Sequence, residues 1–93
     1  MEHVMKSDNS QENKTEFNLY APHARTVILV GSFNDWNAIR MLRRGNGEWR
    51  TEMRLAPGQY EYQFMVDGQW LNDPNASESI QSLSGRMVSI RVV

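Results

Sequence analysis

Two neighbouring runs of residues alternate strictly between two kinds of side chain, and this pattern constrains the fold more than any other feature. In the first run the inward set is Trp49, Thr51, Met53 and Leu55, and every residue between them is Glu or Arg. In the second run, Gln59 to Asp67, the inward set is Tyr60, Tyr62, Phe64 and Val66. Side chains of a β-strand point alternately to the two faces of a sheet. Both runs therefore predict strands that cover a core with one face.

Shorter runs of the same kind fill most of the remaining chain. Residues 16–20 alternate with Phe17 and Leu19 on one face, and residues 26–33 are apolar at nearly every position, as expected of a central strand. Residues 39–42 and 87–93 predict further strands. Turn signals at 45–47 and 56–58 separate these elements. The pattern predicts an all-β, immunoglobulin-like sandwich of about seven short strands, with a small open barrel as the alternative.

The length of 93 residues allows one domain. Residues 1–15 are polar and aperiodic, which predicts a disordered N-terminal tail or a linker. Residues 16–93 form the predicted β-sandwich domain.

Composition excludes several classes of function. Ten basic residues against eleven acidic ones, without a run of like charge, give no support to a nucleic-acid partner or a membrane surface. The longest apolar stretch, Val27 to Val30, is far too short to span a membrane. The absence of cysteine excludes disulfides and thiolate zinc sites and suits a reducing compartment. The N-terminus has no apolar segment typical of a secretion signal, so we expect a cytoplasmic protein.

The sequence contains no constellation typical of an enzyme. Glycoside hydrolysis requires two carboxylates across the scissile bond, whereas Asp35, Asp67 and Asp73 all lie in predicted turns, where Asp commonly serves as a turn former. His23 lies beside a proline and His3 lies in the tail, so no histidine pair is available for a metal or a base. We expect no catalysis, no metal and no cofactor.

Two tryptophans lie in hydrophilic turns, where a large apolar side chain is unusual. Trp36 ends the segment 31–36, with the sequence GSFNDW, and Trp70 follows the turn at 67–69. Each is either a plug over the end of the sandwich or an exposed flat platform. Two platforms suit a ligand with flat apolar faces, such as a pyranose ring. Trp49 belongs to the inward register of its strand, and we predict that it lies in the core.

The chain resembles the family-48 carbohydrate-binding modules. The resemblance rests on GSFNDW at 31–36, on Trp49 with the turn LAPG at 55–58, and on YEYQFMVDGQWLNDPN at 60–75. The family includes the glycogen-binding domain of the AMP-activated protein kinase β subunit and N-terminal modules of glycogen branching enzymes, isoamylases and pullulanases. The resemblance covers residues 16–93 and implies an early-set β-sandwich that binds α-1,4-linked glucans such as glycogen or starch.

The resemblance also implies individual roles. In the kinase-type modules two tryptophans stack on successive glucose rings, and they match Trp36 and Trp70. A lysine that contacts sugar hydroxyls is replaced here by Gln63, whose amide both donates and accepts hydrogen bonds. A leucine that packs against the glucan matches Leu83. An asparagine that bonds the sugar matches Met87, which has no amide, so we expect weaker binding than in the kinase modules.

The residues themselves add two polar candidates and one alternative function. Register makes Gln63 the best polar contact, with Asn72 and Asn37 as weaker ones, although Asn72 also suits a turn residue that bonds its own backbone. The leading hypothesis is a non-catalytic module that brings an attached or partner protein to α-glucan. The alternative is a protein-interaction module that packs on a glucan-active enzyme or a kinase subunit and has lost strong sugar binding.

Overall fold

The computed structural model of the chain describes residues 12–83 and 85–93. In that part of the chain it has nine β-strands. They are β1 (Asn13–Tyr20), β2 (Val27–Gly31), β3 (Ile39–Arg40), β4 (Leu42–Arg43), β5 (Glu48–Leu55), β6 (Gln59–Val66), β7 (Gln69–Leu71), β8 (Glu78–Gln81) and β9 (Met87–Val92). Most of the predicted tail lies outside the described residues, but β1 begins at Asn13, three residues before the predicted start of the domain.

The strands form two antiparallel sheets. The smaller sheet has the order β1-β5-β4, and the larger has the order β3-β2-β6-β9-β8, with β7 also paired to β6. Two sheets packed over one core are a sandwich rather than a barrel, so the predicted all-β sandwich is confirmed. Within the described ranges, no helix is long and apolar enough to cross a membrane.

The core lies between the inner faces of the two sheets. Phe17 of β1 packs edge-on against Tyr62 of β6, with ring centroids 5.0 Å apart, and Phe64 next to it is fully buried. Trp49 is buried as predicted, and its indole nitrogen donates a hydrogen bond to the Ala21 carbonyl at 3.0 Å. The alternation in the sequence therefore identifies the inner faces of β1, β5 and β6 correctly.

The structure departs from the predicted strands where the chain changes sheets. The single strand expected at 39–42 is divided into β3 and β4, which belong to different sheets. Met41 between them is buried, and its N–H donates to the Val27 carbonyl at 2.9 Å. The turn at 56–58 likewise joins β5 to β6 across the two sheets. The sequence pattern predicted no strand at β8, whose four residues are all exposed.

A two-residue turn between β6 and β7 connects the larger sheet to an earlier loop. Asp67 and Gly68 both have positive φ, at 48° and 85°, as a tight hairpin turn requires. The Asp67 carboxylate accepts hydrogen bonds from the backbone N–H groups of Arg25 and Thr26, each at 2.8 Å. These two bonds favour the charged form and lower the pKa of Asp67 below its ordinary value of 3.8.

The Asp67→Asn variant tests this contact through pH. A lowered folded-state pKa contributes stability that is fully present above pH 3.8 and is lost as the pH falls through the folded-state value. Asparagine keeps an acceptor oxygen but no charge. We therefore expect the wild type to have the higher melting temperature at neutral pH, and the difference to shrink in acid. Thermal unfolding followed by circular dichroism measures it. Asp35→Asn, also at a residue with positive φ, is the control, and a pH-independent difference for Asp67→Asn would contradict the expectation.

Candidate functional site

The larger sheet has an outer face that points away from the core, and its strand pairing shows which side chains lie there. Residues directly opposite each other in adjacent strands share a face. Gln63 of β6 lies opposite Val30, and Glu61 lies opposite Ile90. Because Tyr62 points into the core, these residues are on the outer face. Trp70 lies opposite Met65, which places it on the outer face as well.

An open groove of about 510 Å³ runs over this outer face. Its lining comes from the turn after β2, from β6, and from the hairpin of β8 and β9. The lining residues are Trp36, Glu61, Ile80, Gln81, Ser82, Leu83, Arg86 and Val88. Val88 is buried although it is outside the main core, so an apolar layer lies beneath the groove. The groove combines apolar platforms with charged and amide groups, as sites for small polar ligands do.

Trp36 is presented to the groove by a turn with an unusual backbone. Asp35 and Trp36 have positive φ, at 59° and 64°, a conformation that residues other than glycine rarely adopt. The Trp36 N–H donates to the Gly31 carbonyl at 2.8 Å, and the Asn34 and Asn37 side-chain amides each donate to the other residue's carbonyl. These bonds maintain the turn and leave 40% of Trp36 exposed. Such backbone conformations cluster at functional sites.

Trp70 stands on β7 directly after the turn that contains Asp67 and Gly68. It remains 41% exposed, nearly the same as Trp36. The Arg86 guanidinium carbon lies over its ring, 4.1 Å from the centroid. Trp70 is thus neither a buried plug nor a bare platform, because a cation covers one of its faces.

Leu83 lies at the tip of the β8–β9 hairpin and is fully exposed. The turn is closed by hydrogen bonds from the Ser82 N–H to the Arg86 carbonyl, at 2.8 Å, and from the Gly85 N–H to the Ser82 carbonyl, at 2.9 Å. Leu83 is one of the residues that line the groove.

Gln63 lies on the predicted face but is not available at the surface. Its side chain is only 3% exposed. Its amide nitrogen donates to the Asn72 side-chain oxygen, at 3.1 Å, and to the Met87 carbonyl, at 2.9 Å. Gln63 therefore bridges the end of β7 and the start of β9, at the point where the partner of β6 changes from one strand to the other. The register was predicted correctly, but the accessibility was not, because neighbouring strands cover this position.

The predicted site residues consequently fall into two groups. Trp36 and Leu83 line the groove, and Trp70 adjoins it through Arg86. Gln63 and Asn72 are bonded to each other outside the lining, and Asn72 uses its carbonyl oxygen in that bond.

Sequence reasoning missed Glu61, Ile80, Gln81 and Arg86 as groove residues. The sequence did indicate the position of Glu61, because Glu61 shares the outward register of Gln63 two residues away. The other three belong to the β8–β9 hairpin but precede the strand predicted at 87–93. In that segment no periodicity shows which side chains turn toward Trp36.

The titratable groups of the described residues form a structural network around Tyr62. In residues 12–83 and 85–93, no group of three or more His, Cys, Asp or Glu side chains is arranged to hold a metal ion. Burial and the nearby Asp73 carboxylate raise the pKa of Tyr62, whose hydroxyl donates to Asp73 at 2.5 Å. The Asp73 N–H in turn donates to the Ser89 hydroxyl at 2.9 Å. This network attaches the loop after β7 to the sheet.

Comparison with known proteins places these features in a family. Residues 13–92 match the family model described as the glycogen recognition site of AMP-activated protein kinase. Protein FLOURY ENDOSPERM 6, chloroplastic, of Oryza sativa subsp. japonica is 41% identical over 64 residues, which cover 68% of this chain and 12% of that protein. The 5'-AMP-activated protein kinase subunit beta-1 of Sus scrofa is 39% identical over 51 residues, covering 55% of this chain and 41% of the subunit.

Solved structures show the same fold. A putative alpha amylase from Salmonella typhimurium superimposes with a TM-score of 0.69 and 24% sequence identity over 86% of this chain and 13% of that one. The chain thus spans less than half of the length of each of these proteins.

The Gln63→Met variant tests the bridge between β7 and β9. Methionine has a similar size but no amide, so the Asn72 side-chain oxygen and the Met87 carbonyl lose their donor. The Gln63 side-chain oxygen is itself buried without a partner in the described part of the chain, and its removal offsets part of the loss. We expect the free energy of unfolding to fall by about 1–3 kcal/mol, measured by chemical denaturation. Gln69→Met, at an exposed position of β7, is the control. Equal or greater stability of Gln63→Met would contradict the bridging role.

Proposed function

We propose that this chain, which belongs to the family of the glycogen recognition site of AMP-activated protein kinase, binds α-1,4-linked glucan along its groove and catalyses no reaction. The observation that carries the proposal is the pair of half-exposed tryptophans on one sheet face. Trp36 and Trp70 expose nearly equal fractions of their side chains, and both stand next to residues that line the groove. The C–H face of a pyranose ring packs on such an indole surface.

The polar lining supports a neutral sugar as the ligand. Glu61 offers carboxylate acceptors, Gln81 carries an amide, and Arg86 adds a positive charge to the lining while its guanidinium is stacked on Trp70. Opposite charges in one groove give it no strong net field, which suits hydroxyl groups better than an ionic ligand. Leu83 supplies a further apolar contact at the rim. In this proposal Gln63 and Asn72 maintain the strands behind the groove, with Gln63 as a support rather than the direct contact that its register suggested.

Several features support a module without catalysis. Glu61 is the one carboxylate in the described lining, whereas glycoside hydrolysis generally uses two across the scissile bond. A single open groove of this kind gives a modest affinity, with a Kd of roughly millimolar to micromolar. Attachment to a branched polymer at many points strengthens it by raising the effective concentration. The module would then bring an attached or partner protein to the polysaccharide.

We also propose the compartment and the partner class that the sequence suggested. A chain without cysteine suits the cytoplasm, although the rice relative is named as chloroplastic. A glucan-active enzyme or a kinase subunit is the proposed protein partner.

A second candidate function has its own observation. Tyr20 and Leu42 are largely exposed on the outer face of the smaller sheet, on the opposite side of the molecule from the groove. Exposed apolar side chains on a second face are typical of contacts with another protein. A protein-interaction module is therefore the alternative, either beside glucan binding or instead of it.

An NMR titration of the labelled protein with maltoheptaose tests the proposed function. We expect the indole N–H signals of Trp36 and Trp70 to shift at about 1–10 mM sugar. Trp49 serves as an internal control, because its indole is buried and bonded to Ala21. Cellohexaose, with β-linkages, should cause no shift. If maltoheptaose leaves all three signals unchanged in a folded sample, the binding proposal is wrong and the interaction module takes its place.

Alanine variants of the two tryptophans show whether each one binds sugar as a platform or stabilises the fold as a plug. Trp36→Ala and Trp70→Ala should each lower the affinity for maltoheptaose about tenfold or more, equivalent to about 1.4 kcal/mol. Each should lower the free energy of unfolding by only about 1–2 kcal/mol, because part of each side chain is already exposed. Tyr20→Ala, an exposed aromatic on the other sheet, is the matched control for both measurements. Unfolding of the tryptophan variants, with no folded protein left to titrate, would indicate plugs.

A further inference from the structure

Arg86 forms the closest cation–ring contact in the described part of the chain. Its guanidinium carbon lies 4.1 Å from the centroid of Trp70. The corresponding distances are 5.0 Å for Arg91 over Phe17 and 5.7 Å for Arg43 over Trp49. At 4.1 Å the guanidinium lies in van der Waals contact with the ring and covers the surface on which a sugar would pack.

Arg86 contacts both the groove and Trp70. Arg86 lines the groove together with Trp36, whereas Trp70 is absent from the lining. The Arg86 side chain therefore connects the groove to the Trp70 ring. A glucan that begins on Trp36 and extends toward Trp70 meets Arg86 before it reaches the second tryptophan.

The backbone around Arg86 is held in place, so the side chain is the part that can move. The Arg86 carbonyl accepts a hydrogen bond from the Ser82 N–H at 2.8 Å. The carbonyl of the next residue, Met87, accepts one from the Gln63 amide at 2.9 Å. A change of the Arg86 rotamer is thus sufficient to expose Trp70. Glu61 in the same groove offers a carboxylate to a displaced guanidinium.

We propose that the Arg86 side chain competes with a glucose ring for the face of Trp70 and thereby reduces the gain in affinity that a longer glucan obtains from the second tryptophan. The inference rests on the proposed function. A short oligosaccharide occupies the part of the groove beside Trp36 and leaves Arg86 on Trp70. A longer one gains the second platform only by displacing the guanidinium, and its net affinity is reduced by the strength of the contact that it replaces.

Affinities of the Arg86→Ala variant for a short and a long sugar test the competition. A cation–ring contact at an exposed position has a strength that corresponds to about a two- to fivefold change in affinity. We expect Arg86→Ala to bind maltoheptaose about two- to fivefold more tightly than the wild type does, and maltotriose with unchanged affinity. Isothermal titration calorimetry measures both. If Arg86→Ala folds poorly, Arg86→Gln takes its place in the test, because glutamine keeps part of the side chain without the charge. We expect the same changes in the two affinities for Arg86→Gln.

Arg43→Ala is the matched control, because Arg43 also lies over a tryptophan but on the smaller sheet. It should change neither affinity. Weaker maltoheptaose binding by Arg86→Ala would overturn the proposal and make Arg86 a direct sugar contact or a support of Trp70. Unchanged maltoheptaose binding would also overturn it.

A spectroscopic readout in the wild type makes the test independent of any variant. The ring current of Trp70 shifts the Arg86 side-chain proton signals upfield while the two groups are stacked. Maltoheptaose should remove that shift, and maltotriose should leave it in place while still moving the Trp36 indole signal. If the Arg86 signals stay shifted with both sugars, the proposed competition is wrong, but the proposed function is unaffected. Failure of either sugar to move any tryptophan signal would instead contradict the proposed function.

Discussion

The pairing of β6 with three other strands is the constraint on which the core and the groove both depend. β6 pairs with β2 along one edge and with β9 and then β7 along the other. Its inward residues Tyr62 and Phe64 are part of the core, and its outward residues Glu61 and Gln63 lie on the groove side. A shift of one residue in the pairing register of β6 would exchange its inward and outward residues. The burial of the aromatic rings therefore also specifies which polar groups lie on the outer face.

The two tryptophans reach the outer face by different local structures with a similar result. Trp36 depends on a turn whose backbone adopts positive φ and is held by reciprocal asparagine bonds. Trp70 depends on a two-residue hairpin that Asp67 connects to the loop before β2. Both backbones are fixed before any ligand arrives. Binding then has to restrict little besides side-chain rotamers and the sugar itself, which limits the entropy that association costs.

Sequence patterns predicted the fold well where one face of a strand is buried. Alternation identified the inner faces of β1, β5 and β6 because burial imposes it, and the two turn tryptophans remain predicted site residues, one in the groove lining and one beside it. The patterns failed where tertiary contacts decide which residues form strands and which side chains are buried. Nothing in residues 39–42 indicates that Met41 is buried between two short strands of different sheets. The exposed β8 has no periodicity to detect, and the burial of Gln63 depends on β7 and β9 meeting beside it.

The β8–β9 hairpin gives the two sides of the groove unequal resistance to local opening. β8 is an edge strand with four exposed residues, and β9 is its sole partner in the described sheet. Trp36 instead follows β2, which is paired on both sides. Amide hydrogens of β8 should therefore exchange with solvent through small fluctuations that leave β6 closed. The side of the groove that carries Leu83 and Arg86 is the part that a bound ligand would protect most from exchange.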